Sequence, residues 1–251
     1  MSAGVCPDPW HKFAALTPAR IALGRSGASL PTREVLKFEL AHALARDAVH
    51  QPLPLAELAA RWHAAEGSPL IQVRSRAGDR LTYLQRPDLG RRLDEASAAS
   101  LIAHAGAYDL AIVLADGLSA PAVQQHAIPL LEGLLPRLDQ LKIAPLVLAE
   151  QGRVALGDEI GELLGARLVL ILIGERPGLS APDSLGAYLT YTPQVGRLDS
   201  ARNCVSNIRN EGLPPAAAAG KLAWLISEAL ARQLTGLKLK DDSAMALLAS
   251  S

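Results

Sequence analysis

Apolar positions along this chain follow two rhythms, one helical before about residue 65 and one of uninterrupted runs after residue 110. In residues 33–49, Val35, Leu36, Leu40, Ala43, Leu44 and Val49 approximate a helical stripe behind Pro31 and Thr32, and Pro52 and Pro54 close it. A shorter helix is predicted over residues 55–65, with Leu55, Leu58, Ala59 and Trp62 on one side and Gly67 as its stop. Leu70, Ile71 and Val73, then Ala77-Gly78-Asp79, then Leu81, Tyr83 and Leu84 predict a hairpin of two short strands.

The runs at residues 110–115, 144–149 and 167–173 do not alternate, as expected of parallel strands buried on both faces. Helical patterns over residues 120–141, 157–164 and 214–234 would lie as crossovers and a closing helix over that sheet. A further strand is predicted at residues 185–191, weakened by Gly186, and the tail after Gly236 reads as loosely held. The fold class is therefore α/β: a helical N-terminal lobe, residues 1–66, then a Rossmann-like, mostly parallel sheet flanked by helices in residues 67–251.

Composition narrows the function. Lys plus Arg and Asp plus Glu both total 25, so no net field draws in nucleic acid or an anionic membrane. Hydrophobic residues make up 49% and aromatics only 4%, which favours aliphatic strands and Ala/Leu helices. Cys6 and Cys204 lie far apart without a metal-ligand spacing, which fits a reducing cytoplasm and predicts no metal site. Neither a secretory leader nor a membrane-length apolar run is expected. The six histidines form no HExxH pair, and a P-loop and a GxGxxG after a strand are both missing.

In an open α/β sheet, ligands collect beyond the carboxyl ends of the strands. There the chain carries Asp116-Gly117-Leu118-Ser119, in which Ser119 can cap the next helix. Next come Gly152-Arg153-Val154 and a helix whose first turn holds Asp158 and Glu159, suited to its dipole, with Gly157, Gly161 and Gly165 spaced for close packing. Third is Gly174-Glu175-Arg176-Pro177-Gly178, where Glu175 is either a ligand contact or half of a solvated pair with Arg176. Cys204, in RNCVSNI, reads either as a small buried hydrophobe or as part of a contact site. No residue qualifies as catalytic by itself.

The blocks RSGASLPTREVLKFELAHALARDAV, YLQRPDLGRRL, ADGLSAPAVQ, GRVALGDEIGELLGA, LIGERPGL and ARNCVSNIRNEG stand in one fixed order. From about residue 9 to 237 the chain thereby resembles the small (light) chain of ethanolamine ammonia-lyase. That resemblance implies a subunit that joins a TIM-barrel large subunit in a higher-order hetero-oligomer, with adenosylcobalamin (coenzyme B12) held between the two. It also implies conversion of ethanolamine to acetaldehyde and ammonia, begun by homolysis of the cobalt–carbon bond to a 5'-deoxyadenosyl radical.

Carried over by motif, Val154, Glu175 and Cys204 match positions that contact cobalamin. The DxHxxG motif that replaces the lower cobalt ligand is missing, consistent with retained dimethylbenzimidazole. Longer family members carry an N-terminal extension tied to bacterial microcompartments; here the resembling core begins almost at once, so a cytoplasmic location is expected, with packaging in a microcompartment the less expected alternative. Without the resemblance, the residues would also allow a non-catalytic α/β nucleotide- or effector-binding module, or a self-sufficient small-molecule enzyme.

Overall fold

The uninterrupted aliphatic runs become the middle of one six-stranded sheet. The computed structural model describes residues 4–65 and 69–243. Its strands are β1 (Leu70–Arg74), β2 (Tyr108–Ala115), β3 (Leu146–Glu150), β4 (Ala166–Gly174), β5 (Leu185–Tyr191) and β6 (Arg202–Ile208), in the order β1-β3-β2-β4-β5-β6. The first four in that order pair in parallel, but β4 pairs β5 and β5 pairs β6 antiparallel. The α/β class holds, whereas a mostly parallel sheet is only partly right. Residues 175–184 and 192–201 are shorter links than the dozen or so residues a parallel crossover requires, so the chain must turn back.

The helices are α1 (Thr32–His50), α2 (Leu55–Ala65), α3 (Arg80–Gln85), α4 (Glu95–Ile102), α5 (Ala120–Leu134), α6 (Leu156–Leu164) and α7 (Pro215–Arg232). One face of the sheet, through Leu110, Ile112, Leu114, Leu168, Leu170 and Leu172, packs with α2, α5 and α7. The alternating residues Ala111, Val113, Val169 and Ile171 pack with α4 and α6 on the other. On α2, Leu58 and Trp62 are buried, each contributing about 2 to 3 kcal/mol. By contrast α1 buries only Ala48 and leaves Leu36, Leu40 and Leu44 exposed.

Several expectations are corrected. The hairpin is not formed: β1 is its only strand, because Asp79 accepts from the Thr82 backbone N–H at 2.8 Å and starts α3. Helix α3 then buries Tyr83, which a solvent-facing hairpin would not. The helix expected over residues 120–141 stops at Leu134, followed by a single 3-10 turn over Leu135–Arg137 that contains Pro136, which lacks an N–H. The tail is held through Leu239, which is buried and whose carbonyl accepts from Asn203 Nδ2 at 2.7 Å. Gly67 and the last residues of the tail lie outside the described residues.

Candidate functional site

The loops that follow β2 and β4 meet without room for a side chain. Gly117 has φ +57°, and a Cβ there would stand 2.2 Å from the Gly174 carbonyl oxygen. A Cβ on Gly174 would stand 2.0 Å from that of Ser119. This crossing places Glu175 directly beyond the end of β4. Ser119 also caps α5, accepting from the Ala122 N–H.

Asp116, almost fully buried at the end of β2, accepts from the N–H groups of Gly117, Gln151 and Gly152 and pairs with Arg80 at 3.3 Å. Burial outweighs these bonds and pushes its carboxyl up to about 6. The Arg80 and Arg153 guanidinium groups both lie over the Tyr83 ring, at 4.7 and 4.1 Å from its centroid. The Tyr83 hydroxyl donates to the Gly152 carbonyl at 3.0 Å.

Glu175 is half-buried and does not pair with Arg176. Its Oε2 accepts from Ser184 Oγ at 2.5 Å and from the Asn207 N–H at 3.1 Å, which leaves Oε1 without a partner among the described residues. The solvated-pair alternative is thereby corrected. Gly186 gives the carboxylate its place, since a Cβ there would lie 2.9 Å from Oε1.

Cys204 is exposed, not a buried hydrophobe. It pairs with Tyr188 across β5 and β6 and hydrogen-bonds to it, while Val205 turns to the opposite, covered face. Desolvation pushes the Tyr188 hydroxyl and the Cys204 thiol both upward, so both stay neutral near pH 7.

These groups line two adjoining clefts. One, of about 390 Å³, includes Leu118, Ile173, Val154, Glu175 and Tyr188; the other, of about 400 Å³, includes Val154, Tyr188, Arg91, Arg197 and Cys204, and Arg153 borders both. The structure thus brings Val154, Glu175 and Cys204 to one composite surface, with Val154 on the shared wall. It adds Tyr83, Arg153 and Tyr188, which sequence reasoning missed; the first two stood inside quoted blocks, whereas Tyr188 had no local signal.

Asp158 and Glu159 face arginines. Asp158 forms a two-point pair with Arg202, and Glu159 pairs with Arg92 and accepts from the Leu93 N–H. Gly161 does pack closely, with a Cβ position 3.1 Å from Val169, but Gly165 is the left-handed cap of α6. Among the described residues no group of three or more His, Cys, Asp or Glu could hold a metal ion, and no helix is long and apolar enough to cross a membrane.

A family model described as "Ethanolamine ammonia-lyase light chain" matches residues 7–240. The chain belongs to this family. Among similar proteins, the ethanolamine ammonia-lyase small subunit of Azotobacter vinelandii is 58% identical, over 96% of this chain and 91% of that one. Those of Ralstonia nicotianae and Pseudomonas fluorescens are 56% and 55% identical, covering 98% and 97% of this chain and 93% and 90% of theirs. Five of the six sequence blocks contribute residues to the two clefts, and Tyr188, Arg197, Leu198 and Asp199 come from outside them.

Proposed function

We propose that this light chain is the small subunit of an adenosylcobalamin-dependent ethanolamine ammonia-lyase, and that it holds the cofactor in the composite cleft against a TIM-barrel large subunit. The observation that carries this reading is the convergence of Val154, Glu175 and Cys204 on adjoining open clefts that share one wall. A wide disc fringed with amides fits such a surface better than it would a closed cavity.

The residues present suit that group. Val154 and Ile173 offer apolar contact, and Glu175 Oε1 is free to accept from an amide N–H. Neutral Tyr188 and Cys204 add donor and acceptor capacity without a charge to bury. When bound, the group would supply the radical chemistry that takes ethanolamine to acetaldehyde and ammonia. This chain binds, orients and shields from water; none of its cleft residues is assigned a proton transfer.

Residues 1–66 are on this reading the partner-facing lobe and 67–251 the cofactor-facing one. The exposed Trp10, Leu16, Leu36, Leu40 and Leu44 support a hetero-oligomer, since permanent complexes keep apolar surface for a partner. Titration of cobalamin into wild-type and Glu175→Ala complexes tests the site. The variant should bind more weakly by about 1 to 3 kcal/mol while assembly persists. Equal dissociation constants would remove Glu175 from the site.

A further inference from the structure

The cleft that contains Cys204 is rich in arginine, and its charges are unevenly matched. Arg202 is neutralised by Asp158 and Asp199. Arg91, Arg153 and Arg197 also line the cleft, and none of them has a carboxylate in ion-pair contact among the described residues.

Arg153 is fixed in place. Its Nη2 donates to the Tyr83 carbonyl at 3.1 Å, its guanidinium lies on the Tyr83 ring, and its buried Nε has no acceptor. Arg153 is half-buried, so its guanidinium is partly screened by water yet is held in one orientation at the cleft wall with no carboxylate beside it, where an anionic ligand would gain a charge-assisted bond. Arg91 is exposed, and its side chain makes no hydrogen bond among the described residues. The neighbouring cleft shares Arg153 and adds Arg176, but it also presents the Glu175 carboxylate, so the Cys204 cleft, with Arg91 and Arg197 beside Arg153, holds the greater excess of positive charge.

From this asymmetry we infer that Arg153 and Arg91 form a phosphate subsite in the Cys204 cleft and receive the phosphodiester of the cofactor's nucleotide tail. The inference rests on the proposed cobalamin site and adds its orientation: amide fringe toward Glu175, nucleotide tail toward Arg153, with Val154 between them. A guanidinium suits this role because its planar fork can give two parallel N–H bonds to phosphate oxygens.

The test compares two probes on the complex of the full chain with its large subunit. Cyanocobalamin carries the phosphodiester tail; dicyanocobinamide has the same corrin and amides without it. Equilibrium dialysis against wild type, Arg153→Gln and Arg91→Ala reads binding without turnover. Arg153→Gln should weaken cyanocobalamin roughly ten- to a hundredfold, as for loss of a charge-assisted bond, and leave dicyanocobinamide unchanged. Arg91→Ala, at an exposed position that folding does not need, should weaken cyanocobalamin alone by a smaller factor. Equal losses for both probes, or no loss for either, would overturn the phosphate subsite while the cobalamin site stands. Failure of the wild-type complex to bind either probe would instead overturn the cobalamin site, and the subsite with it.

Discussion

Asp158 on α6 and Arg202 on β6 meet in a two-point ion pair in which both side chains are almost completely buried, with Nη2 and Oδ2 2.7 Å apart. Arg202 also donates to Thr190 Oγ1 and to the Arg197 carbonyl, so one guanidinium ties α6, β5, β6 and the rim of the Cys204 cleft together. Burial raises the Asp158 carboxyl, while Arg202 works against that shift. Arg202→Met should destabilise the chain by about 3 to 5 kcal/mol, because it leaves a buried carboxylate without its partner. The double variant Asp158→Asn, Arg202→Met should recover much of the loss. Urea unfolding of the set decides the matter, and additive losses would refute the coupling.

Asp116 gives stability a pH dependence of definite sign. Its folded value of about 6 stands above the ordinary 3.8, so the folded chain binds this proton more readily than the unfolded one. The favourable contribution is complete below the ordinary value and is lost as pH rises through about 6. Relative to Asp116→Asn, wild type should lose on the order of 3 kcal/mol between about pH 4 and pH 7, and nothing further above that. Paired denaturation curves across this range check it; a gap that does not change with pH would contradict it.

The crossing of Gly117 and Gly174 makes another point of sensitivity. Gly117→Ala places a Cβ against the Gly174 carbonyl at a positive φ, so a loss of more than about 1 to 2 kcal/mol is expected from backbone strain alone. Cobalamin affinity should fall with it, because Glu175 follows Gly174 in the chain. Gly178→Ala, whose Cβ would meet only ordinary contacts near 3.8 Å, should leave the melting temperature unchanged.

Helix α1 should matter for assembly more than for folding. Leu36, Leu40 and Leu44 recur at the spacing of one helical face and are 59%, 61% and 50% exposed. Their triple replacement by Gln should leave thermal unfolding within about 0.5 kcal/mol of wild type while it weakens association with the large subunit. Sedimentation of mixed subunits reads the outcome, and unchanged association would free this face from the interface. The isolated wild-type chain should release no acetaldehyde from ethanolamine until the large subunit and adenosylcobalamin are added.

The sequence rhythm made the sheet centre and its helices legible because residues buried on two faces must be apolar at every step, as in β2 and β4. It did not reveal β6, where a register shift near Leu185 and Ala187 breaks the two-residue alternation and a buried Arg202 stands in for an apolar residue. Nor did it show α4, whose eight residues are capped by Asp94. In the candidate site, Val154 and Glu175 stood beyond strand ends, where ligands are expected, and their blocks carried the family likeness. Tyr188 escaped notice because its role depends on facing Cys204 across two strands, a relationship that no local pattern contains.

The return of the chain at β4 leaves β5 and β6 with α5 and α7 on one side, while on the other α6 and α4 cover the parallel strands and reach only as far as Tyr188. Tyr188 and Cys204 therefore sit on an open terrace. A flat ligand could settle there from the side without any hinge, lid or unfolding step in this chain. If so, the speed with which such a ligand arrives and departs is set by whatever closes over the terrace from outside, and this chain contributes a fixed floor instead of a gate.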